Sequence, residues 1–165
     1  MPRTPNLALL TVLLTTCLSL ASAARQQNPA PKPDDSSSGQ YSGMYSFLKE
    51  GEFVQVTIED GGRVTGFISR YGDLDSDKGV FLDQFFKAGK LEGTTLTFTT
   101  AVVHGLSYEF KGNIERGEGK KPGDEAYYVL KGTLTEHTTD ANQKTSSRSR
   151  EVSFKAFPTE AEKEN

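Results

Sequence analysis

In the stretch Glu52-Phe53-Val54-Gln55-Val56-Thr57-Ile58-Glu59, apolar Val54, Val56 and Ile58 take every second place, and Gln55, Thr57 and Glu59 take the places between. Successive side chains of an extended strand point to opposite faces, so a period of two puts the aliphatic residues on one side of a sheet and the polar ones on the other. The pattern returns in Leu96, Phe98 and Val102; in Leu106, Tyr108, Phe110 and Ile114; in Tyr128, Leu130 and Leu134; and in Val152, Phe154 and Ala156. Helical periodicity is not sustained anywhere between Tyr41 and Phe157. The fold class is therefore all-β.

Turn chemistry divides the strands. Asp60-Gly61-Gly62 supplies positive-φ positions between two alternating runs, a strong hairpin signal. Strands are expected over residues 43–49, 52–59, 63–71, 79–87, 91–102, 105–115, 126–136 and 147–157, the fifth interrupted at Gly93. Consecutive strands usually pair, so these form an antiparallel up-and-down meander of about eight strands. A sheet of that size closes into a barrel whose interior side chains, or one small ligand, can fill. Gly66, Gly112 and Gly132 fall on the apolar face, where they are read as points of sheet curvature rather than as ligand contacts. Alternation does not say which face is inside. An outer-membrane barrel is weighed and set aside, because several strands fall short of about 9 residues and long and short loops do not alternate cleanly.

The chain ends read differently. Residues 1–23 carry one cation, Arg3, an apolar core from Leu7 to Leu20 and the small triplet Ala21-Ser22-Ala23. This is a secretory signal peptide, cleaved after Ala23. Its apolar run falls short of the roughly 20 residues of a membrane-spanning helix, so no transmembrane anchor is expected after cleavage. Leu14-Thr15-Thr16-Cys17 resembles a lipobox, but Thr16 is a poor residue before a modified cysteine and apolar sequence continues past it. Residues 24–40 are a Pro-, Ser-, Gln- and Asp-rich spacer and 158–165 a charged tail, both read as disordered, leaving the β-domain at 41–157. Cys17 is the only cysteine, so the mature chain has no disulfide, thiolate metal site or thiol nucleophile. Its formal charge goes from −3 to −4 on loss of Arg3, and a mildly acidic chain without a basic patch makes nucleic acid a poor partner. A secreted or periplasmic place follows, and the absence of Asn-x-Ser/Thr sequons and of cysteine leans toward a bacterial envelope.

At Tyr41–Gly72, "YSGMYSFLKEGEFVQVTIEDGGRVTGFISRYG", the opening Gly43-x-Tyr45, the strand after it and the Gly62–Gly66 hairpin return resemble the first strands of the avidin- and lipocalin-type secreted eight-stranded barrels. The resemblance covers about the first third of the domain and implies architecture. Avidin-family biotin pockets are walled by tryptophan, and this chain has none. Biotin binding is therefore not carried over.

Catalytic chemistry is sparse. His104 and His137, the only imidazoles, lie beside loops with no Gly-x-Ser-x-Gly turn to supply a nucleophile. Arg116–Glu125 has glycines and lysines but not the order of a phosphate loop. The carboxylates Glu59, Glu92, Glu109, Glu115, Glu136 and Glu151 are read on the polar face or at strand ends, and no enzyme is expected. Tyr45, Tyr108 and Tyr128 share the apolar face and suit either a core or a ligand pocket; they are the candidate ligand-binding residues. Asp73, Asp75 and Asp77 have the opening spacing of a calcium loop, but Lys78 replaces its glycine and Gln84 its closing glutamate. A solvated turn is preferred to a metal site there, and no cofactor is expected. These readings describe an exported, non-catalytic binding or interaction module holding a small apolar ligand. The alternatives are a packed structural or assembly protein of the envelope and, third, a barrel isomerase. An internal cavity would separate the first two.

Overall fold

The computed structural model describes residues 39–73 and 75–159. The signal, its cleavage site, Cys17, most of the spacer and the tail beyond Thr159 lie outside the described residues. Eight strands run β1 (Gly43–Ser46), β2 (Phe53–Ile58), β3 (Val64–Tyr71), β4 (Phe81–Glu92), β5 (Thr95–Thr100), β6 (Leu106–Arg116), β7 (Tyr128–Thr139) and β8 (Thr145–Lys155). Each pairs antiparallel with its predecessor, in the order β1 to β8. The sheet curls until its edges meet, with Tyr45 bridged to Ala156 and the Phe157 amide donating to the Met44 carbonyl at 2.8 Å. Among the described residues no helix is long and apolar enough to cross a membrane.

The expected fold class holds, and several boundaries move. β4 runs on to Glu92, so the hairpin falls at residues 93–94 and β5 is short. A register shift between Phe86 and Ala88 explains why this was hard to read. Gln84 and Phe86 face inward before the shift and Leu91 after it, so the period of two breaks within one strand. Val102 lies beyond the end of β5 and is 64% exposed rather than part of the apolar face. Gln40 accepts from the Tyr128 hydroxyl, and the Thr159 amide donates to the Gly123 carbonyl.

The apolar face turns inward. Val54, Val56, Ile68, Leu96, Leu130 and Leu134 are fully buried, and aromatic rings fill the space they enclose. Phe86 stacks on Phe98 at 4.2 Å and Phe98 on Phe110 at 5.3 Å; Phe110 meets Phe154 at 6.0 Å, and Phe154 meets Phe47 at 5.2 Å. Aromatic pairs at these separations contribute beyond the area they bury. Gly112 and Gly132 are direct cross-strand partners in the middle of β6 and β7. A Cβ on Gly132 would land on the Lys111 carbonyl and the Gly112 backbone, so the absence of side chains lets the two strands bend into close approach.

Candidate functional site

The meander gives the barrel two unlike ends. Connections β1–β2, β3–β4, β5–β6 and β7–β8 lie at one, here the loop end. The other, the seam end, carries the remaining connections and both ends of the described chain.

The loop end is closed by polar side chains that satisfy one another. Arg70 follows Ile68 by two places on β3 and so points inward, where its Nε donates to Gln84 Oε1 at 2.8 Å. Gln84 Nε2 donates to the Leu106 carbonyl at 2.8 Å, and Arg70 NH1 donates to the Tyr71 carbonyl at 3.0 Å and to Asp73 at 2.7 Å. Buried Glu52 accepts from the amides of Tyr71 and Lys49, both at 3.1 Å. Burying such groups is tolerable because each finds a partner. Glu136 also faces inward, paired across β6–β7 with Tyr108 and accepting from Arg150 at 3.1 Å. Glu136 is thus neither on the polar face nor at a strand end, because β7 runs on to Thr139 and keeps it in phase with the inward Leu130 and Leu134. The acids and cations here hold backbone and one another.

The Asp73–Asp77 loop joins this end. Asp73 binds Arg70 and, at 3.2 Å, Lys49 Nζ; Asp75 is exposed; Asp77 is buried with His104 Nδ1 2.6 Å from its Oδ2. The three carboxylates are thus turned toward different surroundings. No group of three or more His, Cys, Asp or Glu side chains among the described residues is placed to hold a metal ion.

At the seam end the walls part. A groove of about 830 Å³ runs between β1, the segment after β8 and the loop before β7, with Met44, Tyr45, Tyr127, Tyr128, Asp124 and Phe157 among its lining. Its aromatic wall is held from several sides. The Tyr45 hydroxyl donates to the Tyr41 carbonyl at 2.6 Å, and the Tyr128 hydroxyl donates to Gln40 Oε1 at 2.9 Å. Tyr41 and Tyr127 both meet the Tyr128 ring edge-on, at 4.9 and 4.7 Å. The Arg116 guanidinium lies 3.2 Å from the Tyr127 ring centre and donates to the Tyr127 and Gly119 carbonyls at 2.9 and 3.1 Å. A cation over a ring face is held electrostatically as well as by packing. The loop is pinned by Asp124, whose Oδ2 accepts from the Lys120 and Lys121 amides at 3.0 and 3.1 Å, and by Thr159, whose amide donates to the Gly123 carbonyl at 3.0 Å.

Of the three tyrosines singled out from sequence, Tyr45 and Tyr128 thus line this groove. Tyr108 lies near the loop end, edge-on to Phe47 at 5.3 Å. Tyr127, Met44 and Phe157 were not anticipated. The adjacent Tyr127-Tyr128 pair was the available signal, since two bulky rings at a loop-to-strand boundary concentrate aromatic surface at one end of the sheet.

Burial raises the pKa of the Tyr45 phenol well above its ordinary value, and that of Tyr108 to about 12. A buried phenol favours its neutral form. Stability is therefore at its full value below the ordinary phenol range near 10. It falls as pH rises from there through about 12, where the unfolded phenol has lost its proton and the folded Tyr108 has not. Tyr45→Phe and Tyr108→Phe are each expected to flatten this alkaline loss, measured by melts across the range alongside tyrosinate absorbance. An unchanged alkaline profile in both would contradict their burial as neutral phenols.

No protein-family model matches the chain, and no curated protein does. Solved structures do. Rhizavidin superposes with a TM-score of 0.57 at 13% identity, over 78% of this chain and 92% of that one. A rhizavidin–biotin complex gives 0.51 at 10% identity over 70% and 98%. A short afifavidin–biotin complex gives 0.50 at 12% identity over 70% and 87%. At such identities the likeness is one of fold: the chain has an avidin-like barrel.

Proposed function

We propose that this avidin-like barrel is an exported, non-catalytic binding module that takes a small molecule in the tyrosine-walled groove at the seam end. The groove carries the reading: its volume of about 830 Å³ suits a small ligand, and it combines aromatic and thioether surface with polar groups at Asp124 and Lys121. Such a site favours a ligand with a flat apolar body and a polar end. The barrels it resembles include biotin complexes. Here the bore is occupied by Phe86, Phe98, Phe110 and Phe154 and capped by Arg70 and Gln84. Biotin itself is therefore not the proposed ligand. Buried Glu52 and Arg70 are engaged with backbone and neighbouring side chains, which supports a binding role rather than acid–base chemistry.

A second reading, a structural or assembly protein of the envelope, draws on the same packed bore. Native mass spectrometry of the protein purified from its own compartment separates the two. A retained small molecule, lost on Tyr127→Ala, is expected. A chain always at its bare mass, with no small aromatic acid or alcohol taken up at millimolar concentration, would favour the structural reading. N-terminal sequencing of the same sample is expected to begin at Ala24; a lipid-modified Cys17 would replace the soluble protein by a tethered one.

A further inference from the structure

The outer wall of β2, β3 and β4 departs from the polar surface expected of outward positions. Phe53, Phe67 and Phe85 project from three adjacent strands as a continuous ladder, with ring centres 5.9 and 5.5 Å apart, and Tyr71 lies against Phe81 at 4.4 Å. Phe85 is 61% exposed and Phe81 45%. Elsewhere the outward residues are mainly Thr, Ser, Lys and Glu, as on β6 and β8. A contiguous aromatic stripe of this kind on a soluble chain marks a surface that is covered in use.

Charges on β4 identify what covers it. Asp83 and Lys87 stand two residues to either side of Phe85, both exposed, and neither forms an ion pair within the described chain. We propose that this wall is the interface of a two-fold dimer with a second copy of the chain, the axis passing through Phe85. A two-fold rotation there lays β4 antiparallel across β4 of the other copy and stacks Phe85 on Phe85. It brings Asp83 of each copy to Lys87 of the other, twice, around an apolar centre. Isologous interfaces require this self-complementarity, and face-packed sheets about 10 Å apart leave a lysine side chain ample reach. An unrelated partner gives no reason for opposite charges placed symmetrically about one ring. Gln55, the cross-strand neighbour of Phe67, also lines the tyrosine groove, so the two surfaces share an edge.

Sedimentation velocity on the purified protein tests this. The wild type is expected to dimerise in the micromolar range, and Phe85→Ser to weaken the dimer by roughly a hundredfold by removing the central ring. Asp83→Lys sets like charges against each other at both contacts, as does Lys87→Asp, and each is expected to weaken self-association by roughly tenfold. An equimolar mixture of these two variants meets with opposite signs at both contacts and is expected to form a heterodimer of wild-type affinity. Monomeric wild type at high concentration would overturn the proposal. So would a dimer indifferent to the single charge reversals, or a mixture no tighter than its components. Unchanged far-ultraviolet circular dichroism in each variant confirms that association, rather than folding, is being read.

Discussion

Phe110→Ala is expected to destabilise the protein by about 3–5 kcal/mol, the range for removing a fully buried aromatic side chain whose surroundings cannot collapse. Phe110 is completely buried, stacks on Phe98 at 5.3 Å and reaches Phe154 at 6.0 Å. It therefore joins rings from β5, β6 and β8 across the middle of the barrel. Urea unfolding of wild type and variant measures the effect, and Thr97→Ala on the exterior of β5 serves as a control expected to stay within about 0.5 kcal/mol. A cost below about 1 kcal/mol would mean that the bore has slack. A ligand inside the barrel, in place of one in the seam-end groove, would then be the better reading.

The second large effect concerns binding. Tyr127→Ala removes the ring that Arg116 covers and opens one wall of the groove. Loss of an anchoring aromatic commonly costs 2 kcal/mol or more, so affinity for a groove ligand is expected to fall by roughly thirtyfold or more. Tyr128→Phe keeps the ring and loses the hydroxyl with its hydrogen bond to Gln40; its effect should be several-fold at most. Isothermal titration with small aromatic acids ranks the two variants. Equal affinities for wild type and Tyr127→Ala would remove the groove from consideration.

Much of the fold was legible because alternation survives wherever a strand has one face in the core. β2 and β6 could be read from their apolar positions alone, and the eight-strand meander followed from their number and from the turn residues between them. β4 resisted for a physical reason: its register shift after Phe86 moves Leu91 out of phase with Gln84 and Phe86. Arg70 and Gln84 resisted for another. Both occupy inward positions of an apolar face, where composition alone argues against a cation and an amide, and their burial is acceptable because they bond each other and the nearby Asp73, Tyr71 and Leu106 groups.

The site was legible in part. Tyr45 and Tyr128 drew notice for ring size and phase, yet nothing local in sequence reports that the segment after β8 returns to β1 and forms the opposite bank of the groove. Tyr108 shares their face of the sheet but belongs to the far end of the barrel, a distinction of height along the strands that alternation does not encode. The Asp73, Asp75 and Asp77 spacing was equally silent about partners. Arg70, Lys49 and His104 come from other elements or from the preceding strand, and they meet Asp73 and Asp77 only through the fold.

Met44 offers the most direct test of where a ligand sits. It lines the groove, and apart from Met1 it is the chain's only methionine, so selective methyl labelling gives one resonance at the site. Titration with small aromatic acids and alcohols is expected to shift that methyl signal saturably in the wild type and to leave it unmoved in Tyr127→Ala. Binding that leaves Met44 still and perturbs the ring signals of Phe98 and Phe110 would place the ligand in the bore and contradict the groove as the binding site.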